Sequence, residues 1–135
     1  MKQNRKGFTL AELLIVVAII AVLVAVAIPV FSAQLEKSGE ATDVANIRSA
    51  YAEVVTKYLE NPTTASQTPT ISVKAQQKQA GCQTSPAPVL TYQGNGAQVQ
   101  MSLGSILGGT LPTGYTVGIT IDSQGVATPD ITAKR

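Results

Sequence analysis

Hydrophobic and polar positions divide this chain sharply. A polar, basic stretch of seven residues, 1–7, runs straight into an apolar segment that continues to residue 31. Residues 13–35 contain no ionisable side chain. At ~1.5 Å rise per residue, ~20 helical residues cross a bilayer core of ~30 Å, so length alone permits a membrane span. Beyond the apolar run the pattern changes to a stripe. Val44, Ile47, Tyr51, Val54 and Tyr58 recur at steps of three and four, the period of one helix face. Glu36, Lys37, Glu40, Asp43, Arg48, Glu53 and Lys57 are placed mostly off that face. The spacing predicts one helix over 8–59, apolar nearly all round over 8–35 and amphipathic over 36–60. Asn61-Pro62 stops it, because proline disfavours α geometry in the residue before it. Pro29 and Gly39 are its weak points: one lacks an N–H, the other adds backbone entropy.

The remaining residues form a small head. Residues 61–88 have the Thr, Gln, Ser, Ala and Pro composition of a connecting loop, with Ile71-Ser72-Val73 as a short strand or a helical turn. From 89 to 135 the alternation is that of strands. Residues 89–93 and 97–103 flank Gly94-Asn95-Gly96 as a hairpin. Residues 104–114 connect, with one helical turn at 105–107. Residues 115–121 and 126–132 flank the turn Asp122-Ser123-Gln124-Gly125 as a second hairpin. Four antiparallel strands in one sheet, its apolar face laid on the amphipathic half of the helix, make an α+β fold.

Charge adds a direction. Lys2, Arg5 and Lys6 precede Gly7, and the rest of the chain carries seven Lys and Arg against eight Asp and Glu, one net negative charge. The basic leader obeys the positive-inside rule and sends the head outward. The near-neutral remainder argues against a strongly electrostatic nucleic-acid binder. Glu12, a lone carboxylate at the head of the apolar run, asks for a partner.

Taken together, Lys6-Gly7-Phe8-Thr9-Leu10-Ala11-Glu12, the apolar helix after it and Pro29 closely resemble the N-terminus of type IV pilins and type II secretion pseudopilins. The match extends along the helix to about Leu59. The resemblance implies the type IV pilin fold. It also implies that a membrane-embedded prepilin peptidase cuts between Gly7 and Phe8 and that the new Phe8 amine is methylated. Residues 1–7 are then a cleaved leader. Glycine at the cut leaves the backbone unobstructed. The precursor would sit as a single-pass protein in the inner or cytoplasmic membrane. An assembly platform with its ATPase would then draw it into a helical homopolymer on the cell surface. In that polymer the resemblance pairs Glu12 of one subunit with the Phe8 amine of the next, and it implies local melting of the helix before Pro29. Two plainer readings of Glu12 stand beside this: it sits among lipid headgroups, or it caps its own helix. A tolerated kink stands beside melting at Pro29 and Gly39. An ordinary secretory signal, cut after Ala25-Val26-Ala27, is the direct competitor, and Glu12 inside its apolar core weighs against it.

The chemistry of the head points away from catalysis. There is no histidine, and Cys82 is the only cysteine, so no imidazole base or intrachain disulfide is available. Cys82 reads as a loop spectator, with intermolecular pairing as the alternative. Its isolation departs from the cysteine pair of many Gram-negative pilins and leans toward the Gram-positive branch. Asp122 reads as a turn residue that accepts backbone N–H bonds. Calcium needs six or more oxygen ligands, and this C-terminus is poor in acids, so no metal or cofactor is expected. The glycines of 104–109 lack a P-loop lysine. The expected function is structural: a major pilin whose filament serves adhesion, twitching motility or surface contact. The alternative is a pseudopilin, or a competence pilin for DNA uptake. A monomeric membrane-anchored binding module is the third class.

Overall fold

The computed structural model describes residues 7–61, 68–94, 97–109, 112–122 and 125–134. The leader before Gly7, Pro62 and the rest of 62–67, the Asn95-Gly96 part of one turn and the Ser123-Gln124 part of another lie outside them. Two compact units are distinguished, 1–34 and 35–135.

Helix α1 (Leu10–Glu60, 51 residues) begins in the first unit, two residues later than the apolar pattern does. It runs unbroken through Pro29. Its side chains from Leu10 to Phe31 are exposed apart from a half-buried Ala27, and the helix is long and apolar enough to cross a membrane.

In the second unit, the later part of α1 packs against two small antiparallel sheets, an α+β arrangement that matches the type IV pilin fold. Strands β1 (Ile71–Lys74), β4 (Gly114–Ile121) and β5 (Ala127–Lys134) form one sheet in the order β1-β4-β5. Ile71 faces Val117 across one ladder, and Val117 faces Ile131 across the other. Strands β2 (Val89–Gly94) and β3 (Ala97–Ser102) form a separate hairpin, with Val89 opposite Ser102 and Gly94 opposite Ala97. A single helical turn, α2 (Gly104–Leu107), joins the hairpin to β4. The core gathers Val44, Ile47 and Ala50 of α1 with Leu90, Leu103, Leu107, Tyr115, Val117 and Ile131.

One expectation is corrected here. The strands form two sheets, not one. The connection after β3 carries Leu103 and Leu107 fully into the core, so β4 starts away from β3 and pairs with β1 and β5. Of the two readings open for Ile71-Ser72-Val73, a short strand and a helical turn, the structure has the strand. Ile71 and Val73 alternate with exposed Ser72 and Lys74, and this short edge strand closes the three-stranded sheet. On either side of Ser123-Gln124, the part of the predicted turn outside the described residues, Asp122 Oδ1 accepts from the Val126 N–H at 2.8 Å and Gly125 adopts φ +80.

Candidate functional site: the helix start and a buried carboxylate clasp

Gly7 and Phe8 lie ahead of the helix, in backbone with no regular structure, and both are exposed. A side chain at Gly7 would meet open space, and Phe8 is 88% accessible. The peptide bond between them is therefore outside the hydrogen-bonded helix and open to approach.

Thr9 and Glu12 fix where the helix begins. The Thr9 N–H and hydroxyl each donate to Glu12 Oε2 at 2.8 Å, while the Glu12 N–H donates to Thr9 Oγ at 3.3 Å. The Thr9 carbonyl accepts the first helical bond, from the Leu13 N–H. This is a capping box: threonine at the N-cap and glutamate three residues on satisfy each other's orphan donors. The carboxylate also lies at the positive end of the helix dipole. Of the readings open for Glu12, capping of its own helix is the one seen in the single chain.

A second set of carboxylates sits further along the same helix. Glu36, Glu40 and Asp43 were expected on the outward side of α1. Instead Glu36 is 4% accessible and the other two 0%. At spacings of four and three they share one helix face, and a strap of chain, residues 76–84, lies across them. Asp43 accepts from the backbone N–H groups of Gln76 at 2.7 Å and Gln77 at 3.1 Å. Glu36 accepts from Lys78 at 3.0 Å and Gln79 at 2.9 Å. Glu40 accepts from the N–H groups of Gln83 and Thr84 and from the Thr84 hydroxyl. The strap's amides thus find acceptors on helix side chains instead of in a sheet. Hydrogen bonds to a charged acceptor contribute about 1.5–3 kcal/mol each, which offsets the cost of burying three carboxylates.

Further contacts complete this clasp. The buried Tyr115 hydroxyl lies 3.2 Å from both Asp43 Oδ2 and Gln77 Oε1 and donates its proton between them. Burial, and then the negative charge of Asp43, push the Tyr115 phenol well above the ordinary tyrosine range. The Gln77 amide nitrogen donates into the strap's own turn, to Gln79 O and Gly81 O, and to Leu107 O. Gly81 makes that turn with φ +96. Gly39 has a packing role: a Cβ there would sit 3.2 Å from the Gln76 carbonyl oxygen and 3.4 Å from Gln77 Cα. Glycine lets the strap's backbone lie directly on the helix. Cys82 is half-buried against the core, its Sγ within 3.8 Å of Glu40 Oε2.

The clasp was missed in the sequence although its signal is present. Glu36, Glu40 and Asp43 continue the Val44, Ile47, Tyr51 and Val54 stripe toward the N-terminus with the same steps. Assigning them outward weighed their charge above their position. Among the described residues no group of three or more acidic or cysteine side chains is arranged to hold a metal ion.

Residues 2–28 match the family described as the prokaryotic N-terminal methylation motif. This is the class III signal peptide of type IV pilins and pseudopilins. The motif implies processing by prepilin peptidase and assembly into a polymer by pilus machinery, and with the apolar helix it fits a membrane-anchored precursor. That family consists of structural subunits, not enzymes. No curated protein and no solved structure matches the chain.

Proposed function

We propose, from a chain that opens with the signal peptide of type IV pilins and pseudopilins, that it is the major subunit of a type IV pilus. Cleavage between Gly7 and Phe8 removes the basic leader and creates a cationic amine at Phe8, which is methylated. The head then stands outside the membrane, held by residues 8–35, until the assembly platform and its ATPase draw the subunit into a homopolymer. The filament acts in adhesion, motility or contact with surfaces. A pseudopilin or competence pilin would share every one of these steps except the last.

The observation that carries this reading is the helix start: an exposed, non-helical Gly7–Phe8 bond directly before an apolar helix capped by its own Glu12. A carboxylate has two oxygens to offer. Oε2 serves the cap within the chain, and we assign Oε1 to the Phe8 amine of the neighbouring subunit. In a bundle of apolar helices such a pair fixes register, since removing one partner of a buried pair costs about 3–5 kcal/mol. Ala18, Ala21, Ala25 and Ala27 allow the helices to approach closely. Pro29, with no N–H, marks where the helix before it melts to fit that packing.

Electron microscopy of cells that produce the chain tests the proposal. Filaments labelled by an antibody to the head are expected, and Glu12→Ala should abolish them while the leader is still removed. Normal filaments from Glu12→Ala would refute the pairing. A cleaved wild-type chain that never forms filaments would refute the pilin reading.

A further inference from the structure

The helix changes character between Pro29 and Glu36. Pro29 offers no N–H to the Ala25 carbonyl. Three residues on, the Ser32 hydroxyl donates to the Ile28 carbonyl at 3.0 Å, a back-bond of the kind that weakens and bends helices. Residues 30–35 are all exposed, so no packing within the chain compensates. At Glu36 the situation reverses. Its carboxylate is buried beneath Lys78 and Gln79, Gly39 touches the strap's backbone, and Glu40 and Asp43 hold the strap's two ends.

We infer that residues 30–35 are a soft joint in α1, and that Glu36, the first carboxylate of the clasp, sets its C-terminal limit. The reason is geometric. Only a helix brings carboxylates at spacings of four and three onto one face. Unwinding as far as Glu36 therefore strips two strap amides of their acceptor. Unwinding that stops at Leu35 breaks helical backbone bonds and the Ser32–Ile28 bond and leaves the strap's bonds to Glu36 intact. The joint follows Pro29, whereas the melting proposed for the filament precedes it, so the two ideas stand or fall separately.

Amide hydrogen exchange, read by NMR on the full chain in detergent micelles, tests the inference. Amides of 30–35 should exchange about 100-fold faster than those of 40–54, with the step falling between Leu35 and Gly39. Equal protection across 30–47 would overturn the joint. In Glu36→Ala the step should move about one turn, to Glu40; a step that stays at Leu35 would overturn the role of Glu36. The pair Pro29→Ala and Ser32→Ala, both exposed positions outside the head's core, provides a check that does not depend on the clasp variant folding. It should slow exchange over 30–35 about tenfold, and no slowing would count against the joint.

Discussion

Glu12 and Glu40 are the same residue on the same helix, and the chain treats them in opposite ways. Glu12 stands on a turn whose side chains are exposed, and its bonds go to Thr9, three residues away. Glu40 is wholly buried and accepts from Gln83 and Thr84, more than forty residues away. The first closes a purely local loop of structure and contributes nothing to the core. The second, with Glu36 and Asp43, ties a distant segment to the helix and is part of what makes the head one unit. Burial of a carboxylate is tolerable where donors already wait for it. At Glu12 the donors among the described residues are those of its own helix start.

The sharpest break of this contrast is Asp43→Ala against Glu12→Ala. Removing Asp43 leaves the N–H groups of Gln76 and Gln77 without their acceptor, while the Tyr115 hydroxyl keeps Gln77 Oε1. Each such orphan costs about 1–3 kcal/mol, so the head should lose about 4 kcal/mol in urea unfolding. Glu12→Ala should leave the same midpoint unchanged within about 0.5 kcal/mol, since it touches only the helix start. Equal losses from both would show that the two ends of α1 are not independent.

Next in size is Gly39→Ile. The strap's backbone sits where the new side chain must go, at 3.2 Å from the Cβ alone, and overpacking of this kind costs about 1–3 kcal/mol. If this variant proves as stable as the original, then Gly39 serves the helix's flexibility and not the strap's approach.

Smallest is Tyr115→Phe, which removes one hydroxyl shared between Asp43 and Gln77 and should cost about 1 kcal/mol. It carries a pH signature. The folded-state Tyr115 pKa is raised, by burial first and by Asp43 next, above the unfolded value of about 10. The stability that depends on the neutral phenol is thus complete below pH ~10 and is lost as pH rises toward the folded-state value. Alkaline unfolding curves should show that loss in the wild type and a shallower one in Tyr115→Phe. Identical slopes would mean that the hydroxyl is not held against Asp43 as described.

How much of this was legible beforehand differs between the two regions. The helix start could be read almost residue by residue, because its meaning is local: basic leader, glycine, Phe8, Thr9 and Glu12 within one short stretch, then an unbroken apolar run. The hairpin of β2 and β3 and the turn at Asp122 were equally local. What escaped was non-local. Nothing near Glu36, Glu40 or Asp43 in sequence says that the backbone of 76–84 will supply their donors. Nothing near Ile71 says that it will face Val117 across a ladder. Gly39 shows the same limit: its helical position advertises weakness, and only the strap above it shows a fit. Sequence periodicity did mark the right face of α1; residue charge obscured it.

The claim on which the account depends is that the chain is cut at the edge of its apolar helix and keeps that helix afterwards. The mass of the N-terminal peptide of the protein isolated from its native cells tests it most directly. The account predicts a first residue of Phe8 bearing an N-methyl group, with residues 9–35 still attached to the head. A mature chain that begins after Ala27, or one that retains Met1 to Gly7, would contradict it.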